Sequence, residues 1–96
     1  MYKKFTASRI SRDNVLFPPE IILEDEYLTL NYPGLFASRC TNIPYENISH
    51  ISSVTPLIGF TTLSFYAFGK EVRIHGFTVA EVKEIKRFIA SKQNED

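Results

Sequence analysis

The chain has 96 residues, 44% apolar and 14% aromatic, with eight Phe and five Tyr, a length that fits one domain and an apolar content sufficient for one core. Eleven basic and eleven acidic residues cancel, which argues against a nucleic-acid binder driven by bulk attraction to phosphate. A single cysteine, Cys40, rules out an internal disulfide and a multi-cysteine zinc site.

The opening stretch "MYKKFTASRISRDNVLF" has early lysines but no apolar run behind them, so it does not read as a secretory signal. No stretch reaches the length of a membrane span. Both observations predict a cytoplasmic protein, where the Asn47-Ile48-Ser49 triplet has no role as a glycan acceptor. Charge is uneven along the chain: Lys3, Lys4, Arg9 and Arg12 come without an acid among them, and Asp13, Glu20, Glu24, Asp25 and Glu26 follow without a base before Arg39. Residues 1–16 are therefore read as a basic arm, solvated or docking, or as an extra strand within 5–12.

Phe17-Pro18-Pro19 forces an extended chain, because each proline sets its own φ and disfavours helix in the residue before it. Residues 20–23 and 27–32 read as a hairpin around the polar break Glu24-Asp25-Glu26, with Leu28 and Leu30 on one face and Thr29 and Asn31 on the other. Pro33-Gly34 suits the centre of a type II turn. A more polar, partly exposed strand over 36–43 ends at Pro44.

A strand is expected at 50–55, after a segment in which Ile48, Ile51 and Val54 stand three apart. Residues 60–67 alternate cleanly. Gly69-Lys70 reads as a tight turn into 71–75, with Val72 and Ile74 inward and Glu71, Arg73 and His75 toward solvent. Gly76 then lets the chain turn into a helix over 78–92. Thr78 and Glu81 form a capping box there, Phe77 and Val82 a hydrophobic staple, and Val82, Ile85, Phe88 and Ile89 one apolar stripe. The last residues, 93–96, fray.

Six strands and one helix leave few places for catalysis. Ser49 and His50 are neighbours, and on an extended chain neighbours point to opposite faces and do not share a proton. Cys40 has no identifiable orienting partner for a base, which leaves a cysteine hydrolase as the weakest reading. Two histidines without further ligands make a poor metal set, and the isolated glycines form no phosphate cradle. The carboxylates at 24–26 lack the spaced oxygen ligands of a calcium loop. Phe60, Tyr66 and Phe68 have no flanking cation before Lys70, so they belong to a core or an apolar contact surface and not to a base-stacking platform. The expectation is a non-enzyme without a cofactor or a bound metal.

The stretches "NIPYENISHISSV", "GFTTLSFYAFGKEVRIHGF" and "EVKEIKRFI" together resemble bacterial pleckstrin-homology-like domains over roughly residues 17–92. The resemblance implies a mainly β fold, a partly open barrel of two packed antiparallel sheets capped by a C-terminal helix. It departs from the parent fold in showing six strands where seven are expected, and in placing acids at 24–26 where phosphoinositide binders carry bases. What the resemblance implies is a protein-interaction or scaffold domain, self-associating or taking a peptide along a sheet edge. The alternative is a lipid or membrane-surface module using the basic arm. Expected partner contacts are Lys3, Lys4, Arg9, Arg12, Arg73 and His75. The partner is a protein or peptide, with a second copy as one candidate, and neither nucleic acid nor phosphoinositide.

Overall fold

A computed structural model of the chain describes residues 3–7, 18–34 and 39–94. The described residues form seven strands and one helix, in two antiparallel sheets. The first sheet contains β1 (Lys3–Thr6), β2 (Glu20–Leu23), β3 (Tyr27–Tyr32) and β4 (Arg39–Pro44), ordered as they occur in the chain. A 3-10 turn, Tyr45–Asn47, leads to the second sheet of β5 (Ile48–Val54), β6 (Thr61–Ala67) and β7 (Lys70–Phe77). The helix α1 (Val79–Gln93) closes the chain order. The two ladders share no strand among the described residues.

One core joins all three parts. Phe5, Ile21, Leu23, Leu28, Leu30 and Ile43 come from the first sheet, Ile48, Leu63, Phe65, Ala67, Ile74 and Phe77 from the second, and Val82, Ile85 and Ile89 from the helix. Strand alternation delivers most of these side chains to one face, as in Ile21 with Leu23 and Leu63 with Phe65.

The expected hairpin at 20–32 forms with the expected bounds, Leu23 opposite Leu28. An additional strand does come from the N-terminal segment, at Lys3–Thr6, overlapping the expected span at Phe5 and Thr6, while 8–12 lie outside the described residues. It pairs with β2 in a register that sets Phe5 opposite Ile21. Phe5 and Ala7 are buried there, so this part of the segment is not a free arm. The β4 strand is exposed from Arg39 to Asn42, as its polar sequence predicts; positions 36–38 of the expected strand lie outside the described residues.

Two bulges account for the main differences in the second sheet. Strand β5 begins at Ile48, earlier than expected, and its register slips between Ser49 and Ser52 around His50, whose φ is 53°. The extra residue brings Ile48 and Ile51 to the core side despite their spacing of three. In β7 the register slips between Thr61 and Thr62, which pair with Phe77 and His75. The residue between that pair, Gly76, has a φ of 124°. Gly76 is therefore a bulge inside the strand and not a turn after it. The bulge lets Ile74 and Phe77 both face the core.

The β6–β7 turn is Phe68-Gly69, one residue earlier than expected, with both central φ values positive at 54° and 77°. This is the two-residue turn whose twist matches a hairpin. The capping box of α1 forms as predicted: the Thr78 N–H donates to Glu81 Oε1 at 2.9 Å and the Glu81 N–H to Thr78 Oγ1 at 3.1 Å. Beyond its buried stripe, the helix is tied down by polar contacts. Gln93 Nε2 donates to the carbonyls of Tyr45 and Ile48, both at 2.7 Å. Lys86 Nζ donates to Ser53 Oγ at 3.0 Å.

Candidate functional site

The contact residues expected from the sequence do not converge. Lys3 pairs with Glu84 of the helix, and Lys4 lies 3.6 Å from Glu20. Arg9 and Arg12 fall outside the described residues. Arg73 is exposed on β7 and reaches Glu71 at 3.3 Å. His75 is half-buried and not simply solvent-facing, because its Nδ1 lies 2.7 Å from Thr62 Oγ1 on the paired strand. The lysines thus sit on the first sheet and the Arg73-His75 pair on the second.

What the fold does gather is apolar surface. Among the described residues the exposed large hydrophobics are Val54, Leu57, Ile58, Tyr66, Phe68 and Val79, all within the β5–β6–β7 hairpins or at the start of α1. They divide between the two ends of the β5–β6 ribbon. Apolar side chains grouped on the surface mark contact sites more often than isolated exposed residues do.

At one end stands the loop that joins β5 to β6. Its Leu57 and Ile58 are fully exposed, with relative accessibilities of 105% and 91%. Pro56 and Gly59 flank them. The residues at the base of this loop form one wall of a cleft of about 140 Å³, built from Ser53, Thr55 and Thr61. Val79, Val82, Lys83 and Lys86 of α1 form the other wall. The helix lies there because its buried stripe docks on the core and Lys86 grips Ser53. Helical spacing then brings Val79, Val82, Lys83 and Lys86 to one side.

Chemically this cleft has an apolar floor, hydroxyls along the strand side and two ammonium groups on the helix side. No carboxylate lines it. The acids of the same helix segment are held elsewhere, Glu81 in the cap and Glu84 on Lys3. The strand bordering the cleft, β5, has β6 as its sole ladder neighbour among the described residues.

At the other end, Asn47, Ser49, His50, Tyr66, Ala67, Phe68 and Gly69 line a shallow cleft of about 250 Å³. The imidazole of His50 meets the Tyr66 ring edge-on at 5.7 Å. His50 and Phe68 are the non-glycine residues with positive φ among the described residues. The left-handed φ at His50 breaks strand alternation and carries its Nδ1 to 3.1 Å from Ser49 Oγ, contrary to the expectation that the two point apart. A hydroxyl beside an imidazole is a nucleophile pair only when a third group orients the base. Among the described residues the partners of His50 are Ser49 and the Tyr66 ring, with no carboxylate among them.

The thiol of Cys40 is exposed on β4 and donates to Asn31 Oδ1 at 3.3 Å, with no histidine beside it. Among the described residues no three His, Cys, Asp or Glu side chains converge as a metal set, and no helix is long and apolar enough to cross a membrane. Sequence reasoning passed over 56–59 as a connection. Its signal was present in two large apolar residues bracketed by Pro56 and Gly59, a context that keeps them out of any strand. No protein-family model, curated protein or solved structure matches the chain.

Proposed function

We propose that this chain is a non-enzymatic interaction domain of pleckstrin-homology-like architecture that takes an extended peptide along the outer edge of β5, in the cleft beside α1. The observation carrying this reading is the cleft itself. A strand with no second ladder neighbour among the described residues borders a groove whose far wall is the terminal helix. Added strands gain affinity from backbone hydrogen bonds and selectivity from pockets for alternate side chains. The family reading is supported by four strands, then three, then a C-terminal helix.

A membrane-surface role through the basic arm has less support, since Lys3 and Lys4 are already matched by Glu84 and Glu20. The deciding experiment is a selection of peptides from a displayed library, followed by titration of isotope-labelled protein. Amide signals of residues 52–55 and 79–86 are expected to move together. Selected peptides that shift only β4 or β7 signals, or a selection that enriches nothing, would overturn the proposal.

A further inference from the structure

We infer that the occupant of the β5–α1 cleft is an acidic extended segment bearing an aliphatic side chain, selected by Lys83 and Lys86 and clasped by Leu57 and Ile58. The inference rests on the edge-strand reading above and adds the chemistry of the partner.

Three observations carry it. First, the cleft is lined by two lysines and no acid, while the nearest helical acids, Glu81 and Glu84, are engaged in the cap and with Lys3. Neither lysine is in an ion pair among the described residues. The charged side chains that line the cleft are therefore both positive in a chain whose net charge is zero, and a partner is steered and aligned by complementary charge.

Second, the floor is apolar. Val82 is buried and Val79 is 43% exposed at the rim, and the space between the walls, about 140 Å³, suits a single aliphatic side chain. Strand geometry then sets the spacing. Alternate residues of an added strand point to opposite sides, so one aliphatic residue can enter the cleft while carboxylates two positions away meet the ammonium groups.

Third, Thr55 and Thr61 at the base of the loop line this cleft, their hydroxyl oxygens 3.4 Å apart. The loop they support carries Leu57 and Ile58 fully into solvent. Side chains of this size are buried when a partner arrives, and a strand laid beside β5 passes the base of the loop.

Three short labelled peptides provide the measurement. Each holds one valine with a second residue two positions before and two positions after it, glutamate, glutamine or lysine in turn, on an otherwise serine chain, and their binding is followed by fluorescence anisotropy. The glutamate peptide is expected to bind on the order of tenfold more tightly than the lysine peptide, the difference that two partly exposed ion pairs supply. That preference shrinks at high salt. Lys83→Glu with Lys86→Glu inverts it, and Lys86→Met, which keeps the aliphatic stem over Ser53, weakens it. Leu57→Ser with Ile58→Ser lowers affinity for all three peptides alike.

Equal binding of the three peptides with shifts at 52–55 and 79–86 would remove the charge selection and leave the edge reading standing. No binding by any of them, or shifts elsewhere, would remove both. Binding to phosphatidylserine vesicles that needs Leu57 and Ile58, without any peptide preference, would reassign the patch to a lipid surface and overturn the inference.

Discussion

The hydroxyl of Tyr45 donates to the backbone carbonyl of Glu24 at 2.6 Å, joining the 3-10 turn between the sheets to the β2–β3 hairpin. The ring of Tyr45 is buried and meets Phe88 of the helix at 5.8 Å. One side chain thus touches both sheets' connection and α1. Tyr45→Phe keeps the ring and deletes the donor, so it is expected to cost about 1 kcal/mol, the usual net value of one hydrogen bond. A urea midpoint unchanged from wild type would show that water replaces the lost donor without penalty.

The same phenol predicts a pH dependence. Burial raises its pKa well above the ordinary value, and the neighbouring Glu24 and Asp25 charges push in the same direction. The folded protein therefore holds the Tyr45 proton more tightly than the unfolded chain does. Its contribution is fully present below the unfolded phenol value of about 10 and falls as pH rises beyond it. Tyr32 is shifted upward too, by burial against an opposing effect of Arg39. Comparing wild type with Tyr45→Phe isolates the share of Tyr45. The variant should lose stability less steeply above pH of about 10, and parallel curves would count against this assignment.

Removing the helix cap gives a second stability test. Thr78→Ala loses the acceptor that the Glu81 N–H uses at 3.1 Å, and is expected to cost about 1 kcal/mol. Thr78→Ser retains the oxygen and should recover most of that loss in the same denaturation series.

Gly76 occupies the β7 bulge with a φ of 124°, a conformation that any side chain resists. Gly76→Ala is expected to destabilise by more than 1 kcal/mol, about the upper range for relief of glycine flexibility taken with the opposite sign. A raised melting temperature would mean that the bulge relaxes without strain.

Phe68 is the opposite case, a bulky residue held at a φ of 54° and 61% exposed. Asparagine accepts that region more readily. Phe68→Asn is therefore expected to stabilise the fold by about 1 kcal/mol. A lower midpoint would show that the Phe68 ring contributes packing worth more than the strain it imposes.

Much of the fold was legible because local chemistry and tertiary packing agree at those places. The β2–β3 hairpin has alternation on both sides of three acids, and α1 has Thr78, Glu81 and an apolar stripe in one reading frame. The strand β1 was harder to place, since Lys-Lys-Phe-Thr has one core side chain and gains its pairing from residues far along the chain. Neither bulge is visible in residue types alone. Ile48, Ile51 and Val54 look irregular until the register slip at His50 explains the first two. The cleft was not legible either, because its walls come from 53–61 and 79–86 and meet only through the docking of α1. Nothing in the sequence sets Lys83 and Lys86, which line it, apart from the other charges of the helix.

Both ladders are meanders in which each strand pairs with its immediate neighbour in the chain. Apart from β1 with β2, whose partners lie far apart in the chain, the ladder pairings among the described residues are local in sequence, and other distant closures come from core packing and from Gln93 bridging Tyr45 and Ile48. Because the ladders share no strand among the described residues, each ribbon is expected to open and close as a unit of its own, with the shared core and the helix coupling the two. The junction at Tyr45–Asn47 is then a seam between cooperative units. Amide exchange should divide there, with protection on its two sides lost at different denaturant concentrations when the Gln93 bridge is removed by Gln93→Ala.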